Sequence, residues 1–227
     1  MKNDWKEELM KRLELLYSSA KQSNRMFPEH DLNHALRVKN LCLWINKKDA
    51  LNLDKDILIA AALLHDIGYI SDDSPKHVES SIQFAKALLP KIKFERDKIP
   101  AVIMCIKNHD TVPGRQGWKQ KTTMECRVLR DADAIESIGC LGIIRYASWG
   151  GRHGMPFIIQ YKKLDDKNKL FPNIDLMKNI KIRTLELIAR CYTKTAMEII
   201  QERLETMQKF ILEIEKEISF AKNLGGK

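Results

Sequence analysis

The 227-residue chain is 44% hydrophobic and 30% charged, with a formal net charge of +9 at pH 7. That apolar content excludes disorder as the default, and no run of about 18 apolar residues exists to suggest a membrane-spanning helix. Ten glycines and seven prolines are too few for a turn-rich sandwich or barrel, and five cysteines without a CxxC spacing favour neither a disulfide frame nor a thiolate zinc site.

In chain order, Trp5, Leu9, Leu13 and Leu16 recur at helical spacing and predict a first helix over 3–21. Pro28 breaks the pattern and Asp31 is a candidate N-cap for a second helix reaching about Ile45. Asn52 or Asp54 starts a third, apolar all round from Ile57 to Leu64 and therefore expected at the centre, with Gly68 as its stop. Ser71 to Pro75 reads as a loop, 76–89 as a helix ended by Pro90, and 98–109 as a helix that tolerates Pro100 in its first turn. A turn-rich loop over 111–120 precedes a helix from about Thr123 to Tyr146. Residues 149–174 read as irregular, and 175–222 as one or two long helices with a stripe through Leu185, Ile188, Tyr192, Ala196, Ile199, Leu204, Met207, Ile211, Ile214 and Ile218. The expectation is a single all-α domain over 1–227, with a core at about 28–147 and a C-terminal helical part packed on it.

Within this frame a few polar residues stand where burial is expected. His34 lies inside the second helix, His65-Asp66 closes the apolar third helix, His109 ends another, and Asp133 sits among Val128, Leu129, Ala132, Ala134 and Ile135. A buried carboxylate is costly unless paired or bound to a cation, and two brought together would repel without one. Imidazoles and carboxylates suit Mn, Fe, Co, Ni or Zn.

The segments H34-ALRV, AALLHDIG around His65-Asp66, and LRDADAIESIG around Asp133 resemble the HD superfamily of metal-dependent phosphohydrolases. Together with IGCLGIIRYASWGG (Ile138 to Gly151) and the tail pattern around Thr195 to Phe210, they are similar to bacterial members of the nucleoside triphosphate pyrophosphohydrolase type, over roughly residues 28–215. The resemblance implies an all-α HD-domain bundle and a divalent metal held by His34, His65, Asp66 and Asp133. It makes Asp131 a supporting or helix-orienting group rather than a ligand. His77 and His109 are open between second-metal ligands and acid–base or substrate contacts, so one ion is expected and a second is left open. Phosphate-binding candidates are Arg37, Lys107 and Arg145, and loop 149–162 with Arg152 and His153 is a candidate cover. The Glu-Asp pair of the alarmone-hydrolase branch is replaced by Tyr69 and Ile70, which leaves Asp72, Asp73 or His109 for acid–base work.

The function expected is hydrolysis of a phosphoester or phosphoanhydride, of a nucleotide by preference. A di-iron oxygenase using both His77 and His109 and a non-catalytic ligand sensor are the alternatives on the same scaffold. The net charge of +9 alone would support nucleic-acid binding, but no RNP aromatics, GXXG clamp or Cys/His finger accompanies it. The charged start, Met1 to Lys11, has no apolar signal core, so the expected location is cytoplasmic. The oligomeric state is open.

Overall fold

The computed structural model describes residues 4–23, 25–70, 76–112, 122–158 and 174–224. Among them are nine α-helices and no strand: α1 (Trp5–Gln22), α2 (Leu32–Lys48), α3 (Lys55–Leu64), α4 (His77–Leu88), α5 (Ile99–Asn108), α6 (Met124–Glu136), α7 (Cys140–Arg152), α8 (Leu176–Arg190) and α9 (Lys194–Leu224). No described helix is long and apolar enough to cross a membrane.

The helix starts follow from local chemistry. The side chains of Asp4, Asp31, Asp54, Thr123 and Asp175 accept hydrogen bonds from first-turn amides of α1, α2, α3, α6 and α8, which satisfies donors that a helix cannot satisfy itself. At the start of α9, Asp49 accepts from the Thr195 amide at 3.2 Å and from its hydroxyl.

Helix α3 is the centre. Leu58, Ala60, Ala61, Ala62, Leu63 and Leu64 are all buried, and α2, α5 and α6 pack around them. An all-apolar helix has no solvent face to offer and must be enclosed. Its alanines let the neighbours approach closely, so the end of α3 meets the inner faces of α2, α5 and α6.

Three boundaries differ from the sequence reading. Gly68 is not a left-handed stop: it lies in a 3-10 turn, Ile67–Ile70, where a Cβ would fall 2.0 Å from the carbonyl oxygen of His77. It is there because α4 passes against the turn. The helix expected over Thr123 to Tyr146 is broken after Glu136, where Gly139 takes φ of +91°, a conformation open to glycine at little cost. Helix α7 then continues to Arg152, so 149–152 are helical rather than irregular. Residues 159–173 of the expected loop lie outside the described residues, as do 71–75 and 113–121.

Candidate metal centre

The centre forms where five elements end or cross. Asp31 receives the His34 amide at 2.8 Å and so sets the first turn of α2, from which His34 points inward. His65 caps the C-terminus of α3 and Asp66 follows it. Asp133 enters from α6, His109 from the end of α5, and His77 from the first position of α4. His34, His65, His77 and His109 are all less than 5% exposed, and Asp66 is 5% exposed.

His34, His65, Asp66 and Asp133 are brought together. The Nε2 atoms of His34 and His65 lie 3.2 Å apart. Asp66 Oδ2 stands 3.5 Å from the first and 3.3 Å from the second, and Asp133 Oδ1 is 3.7 Å from His34 Nε2. His65 Nδ1–H donates to the Ala62 carbonyl at 2.8 Å, which leaves the Nε2 lone pair facing the cluster. Two donors at about 2.1 Å from one cation lie roughly 3.0–3.4 Å apart, so this spacing and this mixture of neutral imidazole and carboxylate fit a divalent transition metal.

Asp66 divides the site. Its Oδ2 faces His34 and His65 and accepts from His30 Nδ1 at 2.7 Å. Its Oδ1 faces His109 Nε2 at 3.0 Å and His77 Nε2 at 3.8 Å. His109 Nδ1 donates to the Ile106 carbonyl at 2.7 Å, which aims its other nitrogen inward. Tyr69 is sandwiched between the rings of His30 and His77, with centroids 3.9 and 4.1 Å away.

Charge states follow from these contacts. Burial would raise the Asp66 carboxyl, but His65, His30 and His109 hold it well below the usual carboxylate range. Burial and the Arg145 charge push His34 down, which favours the neutral form that can ligate. For His109, burial works downward and is outweighed by the Asp66 hydrogen bond, leaving it at about 9. Burial opposes ionisation of Asp133 as well, and Arg190 overcomes it, so that carboxyl stays low.

The remaining expected residues sort differently. Arg145 approaches the centre: Nη2 is 3.4 Å from His34 Nε2, while Nε and Nη1 donate to the Glu29 carbonyl and the Ser137 hydroxyl. Arg37 donates to Glu136 Oε2 at 2.7 Å, and that oxygen stands 3.6 Å from His34 Nδ1. Lys107 is exposed near the end of α5, whereas the cluster is built from buried groups. Asp131 turns away from the cluster and accepts the backbone N–H groups of Tyr192 and Thr193 at the α8–α9 corner. Residues 159–162 of the candidate cover lie outside the described residues. Arg152 pairs with Glu29 and lies over the Phe27 ring, and His153 stacks on Trp149. Asp72 and Asp73 lie outside the described residues.

His30, Glu136 and Arg190 were not singled out by sequence reasoning. The first two carry a signal that could have been read: His30 is four residues before His34 in HDLNH, and Glu136 is three after Asp133, on the same helical face. Arg190 gives none beyond a charge between Ile188 and Tyr192 of the apolar stripe.

Beside this centre a groove of about 430 Å³ runs between α2 and α7. Its walls include Leu36, Leu141 and Ile144, with Asn33 and Asn40 on one side and Arg145 shared with the centre.

Comparison with known proteins places these features in context. The HD domain family matches residues 31–138. The Bacillus subtilis protein YpgQ is 27% identical over 191 residues, 83% of this chain and 84% of that protein. Its crystal structure in complex with ADP superposes with a TM-score of 0.66 at 25% identity, covering 91% of this chain and 97% of that one. A protein from Lactobacillus plantarum gives a TM-score of 0.70 at 22% identity over 92% of this chain and 97% of its own. An HD-superfamily hydrolase from Bacillus thuringiensis gives 0.60 at 19% over 93% and 98%.

Proposed function

Residues 31–138 belong to the HD domain family, and from that premise we propose that the protein is a divalent-cation-dependent phosphohydrolase that cleaves a nucleotide. The single observation that carries the reading is the convergence of His34, His65, Asp66 and Asp133, from three separate stretches of the chain, on one buried point.

In this reading those four side chains hold the cation, which would supply Lewis acidity toward a phosphoryl oxygen and toward water. Arg145, at the rim, receives the phosphate charge. Asp66 and Asp133 orient the attacking water. His109, held by Ile106 and facing Asp66, is protonated and would donate its proton to the departing oxygen, while the proton of the attacking water passes to solvent. The adjacent groove takes the nucleoside, its apolar walls against the base and the Asn33 and Asn40 amides toward polar edges. The ADP bound by YpgQ supports a nucleotide as the ligand class.

A two-cation form of the same centre is favoured by one observation: Asp66 Oδ1 faces two further buried imidazoles, His77 and His109. Metal content per chain distinguishes one ion from two, and oxygen consumption by the iron-loaded protein distinguishes an oxygenase from a hydrolase.

The test is to strip the purified protein, reload it with Mn, Fe, Co, Ni or Zn, and assay nucleoside mono-, di- and triphosphates. Phosphate or pyrophosphate release that depends on the metal is expected. Asp66→Ala is expected to lose both bound metal and turnover to background. Turnover retained in that variant overturns the reading.

A further inference from the structure

Arg190 ends α8, far outside the segment that matches the HD domain. Its side chain is 1% exposed. Nη2 donates to Asp133 Oδ2 at 2.9 Å and Nη1 donates to the His109 carbonyl at 2.7 Å. Nε is buried with no acceptor. A guanidinium and a carboxylate commonly pair through two parallel hydrogen bonds. Here the fork is split between two elements, and Asp133 keeps its other oxygen, Oδ1, directed at His34 Nε2.

We infer that Arg190 is a positioning residue and the resident counter-charge of Asp133: it holds Oδ2, leaves Oδ1 for the cation, and keeps the centre folded when no cation is present. This rests on the metal-centre reading above.

The physical argument is a difference between two states. Without a cation, the carboxylates of Asp66, which is buried, and Asp133, which is 13% exposed, share one site, and Arg190 is the guanidinium that meets Asp133 directly. With a divalent cation bound, the carboxylates are already compensated, and the Arg190 charge opposes the ion. Arg190 therefore stabilises the metal-free state more than the metal-bound one. A side chain that merely filled space would stabilise both equally. By gripping the His109 carbonyl as well, Arg190 makes the C-terminal helices part of the centre.

The experiment compares wild type, Arg190→Met, Arg190→Gln and Arg190→Lys after metal stripping, by melting temperature with and without Mn²⁺ and by calorimetric titration with Mn²⁺ alone. Arg190→Met and Arg190→Gln are expected to melt lower than wild type without metal, to show a larger rise on adding Mn²⁺, and to bind it about tenfold or more tightly, since a like charge a few ångströms away is removed. Arg190→Lys keeps the charge and is expected to show a Mn²⁺-induced rise close to wild type. Folding of Arg190→Met only when Mn²⁺ is present is the same result in stronger form. A Mn²⁺-induced rise in both neutral variants equal to or smaller than that of wild type overturns the inference. Failure of wild type to bind any divalent cation removes the metal-centre reading itself, which is a separate outcome.

Discussion

Asp131 and Asp133 stand two positions apart on α6, so their side chains leave the helix about 200° apart. That angle gives them different work. Asp133 faces the imidazoles, whereas Asp131 receives backbone N–H groups of Tyr192 at 3.0 Å and Thr193 at 2.6 Å and so fixes the corner between α8 and α9. Burial nevertheless pushes the Asp131 carboxyl up to about 6. Removing it leaves two amides without their acceptor. Asp131→Ala is expected to lower stability by about 2–3 kcal/mol in a denaturant titration, within the range for unsatisfied buried donors, while keeping its metal content. Asp133→Ala is expected to lose bound metal. Metal analysis of the two purified variants separates the roles, and equal metal loss in both would mean that Asp131 also serves the cation.

Among the elements, the contact of α4 with the 3-10 turn after α3 decides where His77 sits. Gly68 makes it achievable: its amide donates to the Ser81 hydroxyl at 2.9 Å, and there is no room for a methyl against the His77 carbonyl. Gly68→Ala must push α4 away from the turn. It is expected to destabilise the protein by about 3 kcal/mol, the upper range for overpacking a tight contact, read as a lowered unfolding midpoint in urea. The same shift displaces His77 from Asp66, so the variant also tests whether His77 contributes to metal stoichiometry. Unchanged stability would show that α4 is free to slide.

For the molecule as a whole, α7 is bound to the turn Pro28–His30 by Arg145 at the Glu29 carbonyl and by contacts to the buried Glu29 carboxylate. Glu29 accepts from the Ser148 hydroxyl at 2.8 Å and from Arg152, whose guanidinium lies 3.8 Å over the Phe27 ring. Burial alone would raise the Glu29 carboxyl, but Arg152 and Ser148 bring it below its ordinary 4.5. A depressed folded value means that this clamp stabilises the fold above about pH 4.5, where the unfolded chain is also ionised. The contribution is lost as pH falls through the folded value. Glu29→Gln is therefore expected to melt lower than wild type at pH 7, with the difference shrinking as the pH is lowered below 4.5. A difference that stays constant with pH would mean that the ion pair contributes nothing.

The sequence alone determined most of the architecture, because apolar periodicity is local: the helices, the buried character of α3 and the placement of His34, His65, Asp66 and Asp133 at helix positions are all written in runs of a few residues. Only folding decided which polar groups meet. Arg190 reaches the centre from 57 positions beyond Asp133 and 81 beyond His109, and no spacing rule records such an encounter, whereas His30 and Glu136 stand at readable spacings from His34 and Asp133 but meet Asp66 and Arg37 only through packing. The same holds for the break at Gly139 and the close approach at Gly68, where backbone from another element sets the requirement. Periodicity specifies the face a helix buries, whereas the atoms opposite that face are fixed only when the helices have packed.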